Sequence, residues 1–61
     1  MMREWIGKEV SVIFNDGKGV SRKIGSLLKF DDNFVYLRLY DSEEAIAISQ
    51  IIRVEVVKNG K

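Results

Sequence analysis

The side chains of this chain that could do chemistry are amides, aromatics and basic groups. Asn33 and Phe34 stand next to each other. An amide can read the edge of a base, and an aromatic ring can stack on one for about 1–3 kcal/mol. Ser49 and Gln50 set a hydroxyl beside an amide. Arg22, Lys23, Lys29 and Arg38 are candidates for phosphate contacts. Asp16, Glu43 and Glu44 form neither a catalytic carboxylate pair nor a metal cage. The 61 residues include no His and no Cys. That removes the imidazole base, the Ser–His triad, the His- or thiolate-held metal and the disulfide. The expectation is a binding protein, not an enzyme, with no cofactor and no metal.

Each candidate also has a plainer use. Asp31 suits a turn in which the carboxylate bonds its own backbone. Phe34 suits a buried strand position. Ser49 and Gln50 suit a tight turn, and the basic residues suit a solvated sheet face. Trp5, the single Trp, either caps one end of a small fold or stands exposed as a stacking platform.

The elements that must position these residues follow from pattern. Val10, Val12 and Phe14 alternate with Glu9, Ser11 and Ile13, the period of a half-buried strand. Asn15-Asp16-Gly17-Lys18-Gly19 is a hairpin turn, since Gly accepts positive φ cheaply. Val20 to Phe30 is a second strand. Its parity slips between Leu27 and Leu28, and Gly25 lies close by, which predicts a bulge or sharp bend. Asp31-Asp32-Asn33 turns the chain. Phe34 to Tyr40 reads as a third strand with Val35, Leu37 and Leu39 toward the core and Phe34, Tyr36, Arg38 and Tyr40 on the other face. Ala45 to Ile48 is a short fourth strand with Ile46 and Ile48 on one side. Ile51 to Val57 is a fifth, in which Ile52, Val54 and Val56 share one parity and Ile51 and Val57 the other. Residues 58–61 read as a solvated tail, and Arg3 to Ile6 as either one helical turn or an extended lead-in.

Five short strands with one bent give an all-β fold: a small, strongly bent, five-stranded antiparallel barrel in one domain. At 46% hydrophobic the chain is too apolar for disorder, and no run approaches a membrane span. The opening Met1-Met2-Arg3-Glu4-Trp5 lacks the pattern of a secretory signal, so the expected location is cytoplasmic. A net charge of +1 argues against tight nonspecific binding to duplex nucleic acid. A domain of about 60 residues buries only about 60% of its unfolded surface. With disulfides excluded, self-association is the expected reinforcement. The long, β-branched last strand is the natural place for it, or is simply a well-packed closing strand.

Certain residues resemble the Sm-like superfamily of Sm, Lsm and Hfq proteins, from Ile6 to Val57. Gly7-Lys8-Glu9-Val10-Ser11-Val12 with Asp16-Gly17 is similar to its opening strand and hairpin. Gly25-Ser26-Leu27-Leu28-Lys29-Phe30-Asp31 resembles the first Sm motif, and Ala47-Ile48-Ser49-Gln50-Ile51-Ile52 the second in its Hfq form. Phe34-Val35-Tyr36-Leu37 is similar to the strand after the first motif. The resemblance implies homo-oligomeric rings of six or seven subunits, the fourth strand of one joined to the fifth of the next. Ile46, Ile48, Ile51, Ile52, Val54 and Val56 would then form the subunit interface. It also implies single-stranded RNA, U-rich or A-rich, bound near the central hole by two loops, here Asp31, Asp32, Asn33 and Phe34 with Ser49 and Gln50. Asp31 would brace the first loop. Some family positions differ: Val35 stands where the first motif carries Asn, Ser49-Gln50 where the Sm second motif carries Arg-Gly, and Ala45-Ile46 where Hfq carries Lys-His.

Overall fold

The computed structural model describes residues 2–58, an all-β arrangement of five antiparallel strands in one sheet. The strands are β1 (Glu9–Asn15), β2 (Val20–Phe30), β3 (Phe34–Arg38), β4 (Glu43–Ala47) and β5 (Ile51–Val56). Their order across the sheet is β4-β3-β2-β1-β5. A 3-10 turn, Met2–Trp5, precedes β1, and another, Ile48–Gln50, joins β4 to β5. Of the tail expected at 58–61, the part beyond Lys58 lies outside the described residues.

Turn chemistry sets the β1–β2 hairpin. Gly17 takes a φ of 94°, and Asp16 Oδ1 accepts the N–H groups of Lys18 and Gly19 at 2.8 and 3.0 Å. The Ser21 hydroxyl donates to the other Asp16 oxygen. Together these hold the Asp16 carboxyl below its ordinary pKa, the Ser21 bond most of all.

The sheet has one apolar face and, among the described residues, no α-helix to cover it, so it must curl to bury that face. Val10, Val12, Leu27, Val35 and Leu37 are fully buried, with Ile46 nearly so. Trp5, Phe14, Leu39 and Val54 are among the half-buried groups packed against them. Trp5 therefore covers the core. The N-terminal turn is tied down beside it: Gly7 N–H donates to Leu27 O and Leu27 N–H to Lys8 O.

The curl has a local origin. The β2–β3 register shifts between Leu27 and Lys29, leaving Leu28 as an extra residue. Three residues before Leu28, Gly25 is buried so closely that a Cβ there would lie 2.5 Å from Arg38 O. All of β1 pairs with β2 between Val20 and Ser26, whereas β3 pairs with β2 from Ser26 onward. The sheet thus has two halves, β5-β1-β2 and β2-β3-β4, meeting near Gly25. No ladder joins β4 to β5, so both are edge strands.

Four strand boundaries and one parity differ from expectation. β3 stops at Arg38, not Tyr40, because the Leu39 N–H closes a turn onto Ser42 O at 2.7 Å. β4 runs Glu43–Ala47: it starts two residues before Ala45, since Glu43 and Glu44 already pair with Arg38 and Leu37, and it omits Ile48, whose N–H donates to Asn33 O instead. β5 ends one residue early, at Val56. Its parity changes partway: Ile13 pairs with Arg53 but Phe14 with Ile51, which leaves Ile52 as a bulge. Ile51, Val54 and Val56 pack on the core, and Ile52 is 60% exposed.

Candidate nucleic-acid interface

The β2–β3 turn is built by Asp31. Its Oδ1 accepts the N–H groups of Asn33 and Phe34, each at 2.8 Å. Its own N–H donates to Phe34 O at 3.0 Å, and the Tyr36 hydroxyl donates to Oδ2 at 3.3 Å. The two backbone bonds lower the Asp31 pKa, with smaller help from Tyr36 and Lys29. Partial burial raises the Tyr36 phenol, and the Asp31 charge adds to that. With both oxygens engaged inside the loop, Asp31 is a brace. The loop-bracing reading and the turn-Asp reading describe the same bonds.

The brace points Asn33 and Phe34 outward. The Phe34 side chain is exposed, not buried as a strand residue, at 40%. Its ring lies 6.2 Å from that of Tyr36, tilted by 52°. Lys29 Nζ sits 4.9 Å from the Tyr36 ring centre, within cation–π range. Phe34 and Tyr36 pair with Ala47 and Ala45 of β4. Small neighbours leave the two rings standing above that edge of the sheet.

The second loop is joined to the first. The Ile48 N–H donates to Asn33 O at 2.9 Å, which anchors the Ile48–Gln50 turn beside residues 31–34. Ser49 and Gln50 are exposed. The structure therefore joins the backbone of the Ile48–Gln50 turn to the Asp31–Phe34 loop, with Lys29 beside that loop over Tyr36, while Gln50 lines a groove with Phe14 and Lys23.

The other basic candidates lie elsewhere. Lys23 pairs with Glu44 at 3.1 Å, and Arg38 with Glu43 at 3.1 Å. Arg22 donates its Nε to Ser11 Oγ at 2.9 Å, on the outer face of β1 and β2. Of the interface candidates, Ile46 is 7% exposed and belongs to the core of its own chain. Ile48, Ile51, Val54 and Val56 are half-buried against that same core. An open groove runs along the free side of β4, lined by Phe14, Lys23, Glu44, Ala47 and Gln50 among others.

Sequence reasoning missed Lys29 and Tyr36 as partners of the loop. Their cross-strand pairing follows once the turn is fixed at residues 31–33 and Leu28 is recognised as the bulge. Among the described residues, no cluster of carboxylates is arranged to hold a metal, and no helix is long and apolar enough to cross a membrane. No family model, curated protein or solved structure matches the chain.

Proposed function

We propose that this chain is a ring-forming protein of the Sm-like kind that binds single-stranded RNA at the joined loops. The observation that carries the reading is the bond from Ile48 N–H to Asn33 O, which ties the Ile48–Gln50 turn to the loop that carries an amide and an exposed aromatic, Asn33 and Phe34. A base stacked on Phe34 would have Asn33 next to it, with the Ile48–Gln50 turn bonded to the same loop. That combination suits unpaired bases, whose faces and edges are both accessible. Two free edge strands per chain, β4 and β5, supply the means of self-association, and a repeated shallow site gains avidity from the repetition. Homo-oligomers of six or seven chains, and U-rich or A-rich RNA, are the expected forms.

A test uses fluorescent oligouridine and oligoadenosine with the unaltered chain, Phe34→Ala, Asn33→Ala and Gln50→Ala, each checked for mass by light scattering. Phe34→Ala should weaken binding about 5- to 150-fold, the range expected for one lost stack. The alanine variants should keep the oligomer mass. No binding by the unaltered chain at low salt would defeat the RNA reading.

A second reading has its own support. Lys23, Arg38 and Arg53 are each paired with a carboxylate of the same chain. A surface so neutralised also suits a protein partner, docked on Phe34, Tyr36 and the fully exposed Tyr40. Tyr40→Ala separates the two readings, because Tyr40 lies on the β3–β4 turn, away from the loop patch.

A further inference from the structure

Lys23 and Glu44 lie on strands that are not neighbours. Glu44 is opposite Leu37 of β3, and Leu37 is opposite Leu27 of β2. Lys23 is four residues along β2 from Leu27. In a flat sheet their Cα atoms would be about 16 Å apart, from strand spacing near 4.8 Å and a rise near 3.3 Å per residue. Side chains standing perpendicular to such a sheet do not bridge that distance. Here Lys23 Nζ lies 3.1 Å from Glu44 Oε1 and 3.2 Å from Oε2. Both residues share the concave face, since Lys23 pairs with the buried Val12 and Glu44 with the buried Leu37.

The pair spans the two halves of the sheet. Lys23 precedes the bend at Gly25 and belongs to the half that carries β5. Glu44 belongs to the half that carries β4. We propose that Lys23–Glu44 is a strut across the concave side, holding the two free edges at a fixed angle to each other. Gly25 permits the bend, and the strut selects one angle. This inference rests on the ring reading for its consequence: the angle between a subunit's two edges decides how many copies close a ring, and whether they close. Lys23 and Glu44 are then positioning residues for assembly. They also line the groove along the free side of β4, where an added strand would lie.

The test is a charge-exchange cycle. Thermal unfolding and light-scattering mass are measured for the unaltered chain, Lys23→Glu, Glu44→Lys and the double exchange. Lys23→Met and Glu44→Gln are added as bulk-preserving variants, in case a like-charged pair prevents folding. Each single exchange should melt about 2–5 °C lower and give a changed or mixed oligomer mass, and the double exchange should recover both. Shifts in melting temperature that simply add, with no recovery in the double exchange, would overturn the strut. Recovery in melting with the same mass in every variant would overturn its control of assembly. If the unaltered chain is monomeric, the ring reading falls and control of assembly falls with it, while the unfolding cycle still decides the strut.

Discussion

Asp16 and Asp31 do the same work at two different turns. Each accepts two backbone N–H groups on one oxygen and a hydroxyl on the other. Each is therefore favoured as the anion in the folded chain, and both pKa values lie below the ordinary 3.8. The sign follows from linkage. Above 3.8 the folded and unfolded carboxylates are both ionised and the contribution is fully present; it is lost as pH falls through the lowered folded values. Melting temperature should hold from neutral pH to about pH 5 and drop below about pH 4. The double variant Asp16→Asn, Asp31→Asn should melt lower at pH 7 and lose less on acidification. Parallel curves for the two proteins would show that these turns carry no linked protons. At this scale the sequence was informative where the chemistry is local: a turn Asp declares itself by its neighbours. The Lys29–Tyr36 contact crosses strands, and it emerges only when the bulge fixes the register.

Gly25 shows what an element requires of a single residue. An alanine there would set its Cβ 2.5 Å from Arg38 O and 2.8 Å from Leu39 Cδ2. The first of these is backbone of the adjoining β3 end and cannot step aside, so the two halves of the sheet would have to open. Gly25→Ala should cost about 1–3 kcal/mol, the range for overpacking, and shift the urea midpoint down accordingly. Gly19→Ala is the control. Its Cβ would meet open space, and its φ is not positive, so the midpoint should stay close to that of the unaltered chain. Equal midpoints for all three proteins would mean that the bend does not depend on Gly25. The bend was readable in advance because a glycine and a parity slip coincide. The β5 bulge was not, because Ile51, Ile52, Val54 and Val56 are apolar on both parities and give no hint of which residue steps out. The end of β3 was equally hidden. Leu39 and Tyr40 suit a strand, and only the destination of the Leu39 N–H decides otherwise.

A molecule with nearly balanced charge can contact RNA phosphates only with whatever cations its own acids leave free. Among the described residues Lys23, Arg38 and Arg53 are held by Glu44, Glu43 and Glu55. Arg22 is turned to the outer face through Ser11, so Lys29 is the phosphate candidate adjoining the loop patch. The four cations that look alike along the chain separate only through non-local pairing, which is why sequence spacing did not rank them. On the proposed reading, each subunit crossed by a strand of RNA neutralises about one phosphate. For single strands the logarithm of affinity then falls with the logarithm of salt by roughly 0.7 per subunit crossed. Titrating oligouridines of increasing length from 50 to 300 mM salt should give a slope that steepens by that increment with each added site. Lys29→Met should flatten the slope while leaving most of the salt-independent, stacking part of the affinity, and Phe34→Ala should do the reverse. The oligomer mass, six or seven times the 7.0 kDa chain, should be unchanged in both variants. A slope several times steeper would mean that RNA displaces the intrachain ion pairs and recruits Lys23 and Arg38. A slope indifferent to Lys29→Met would place the phosphate contacts on another face.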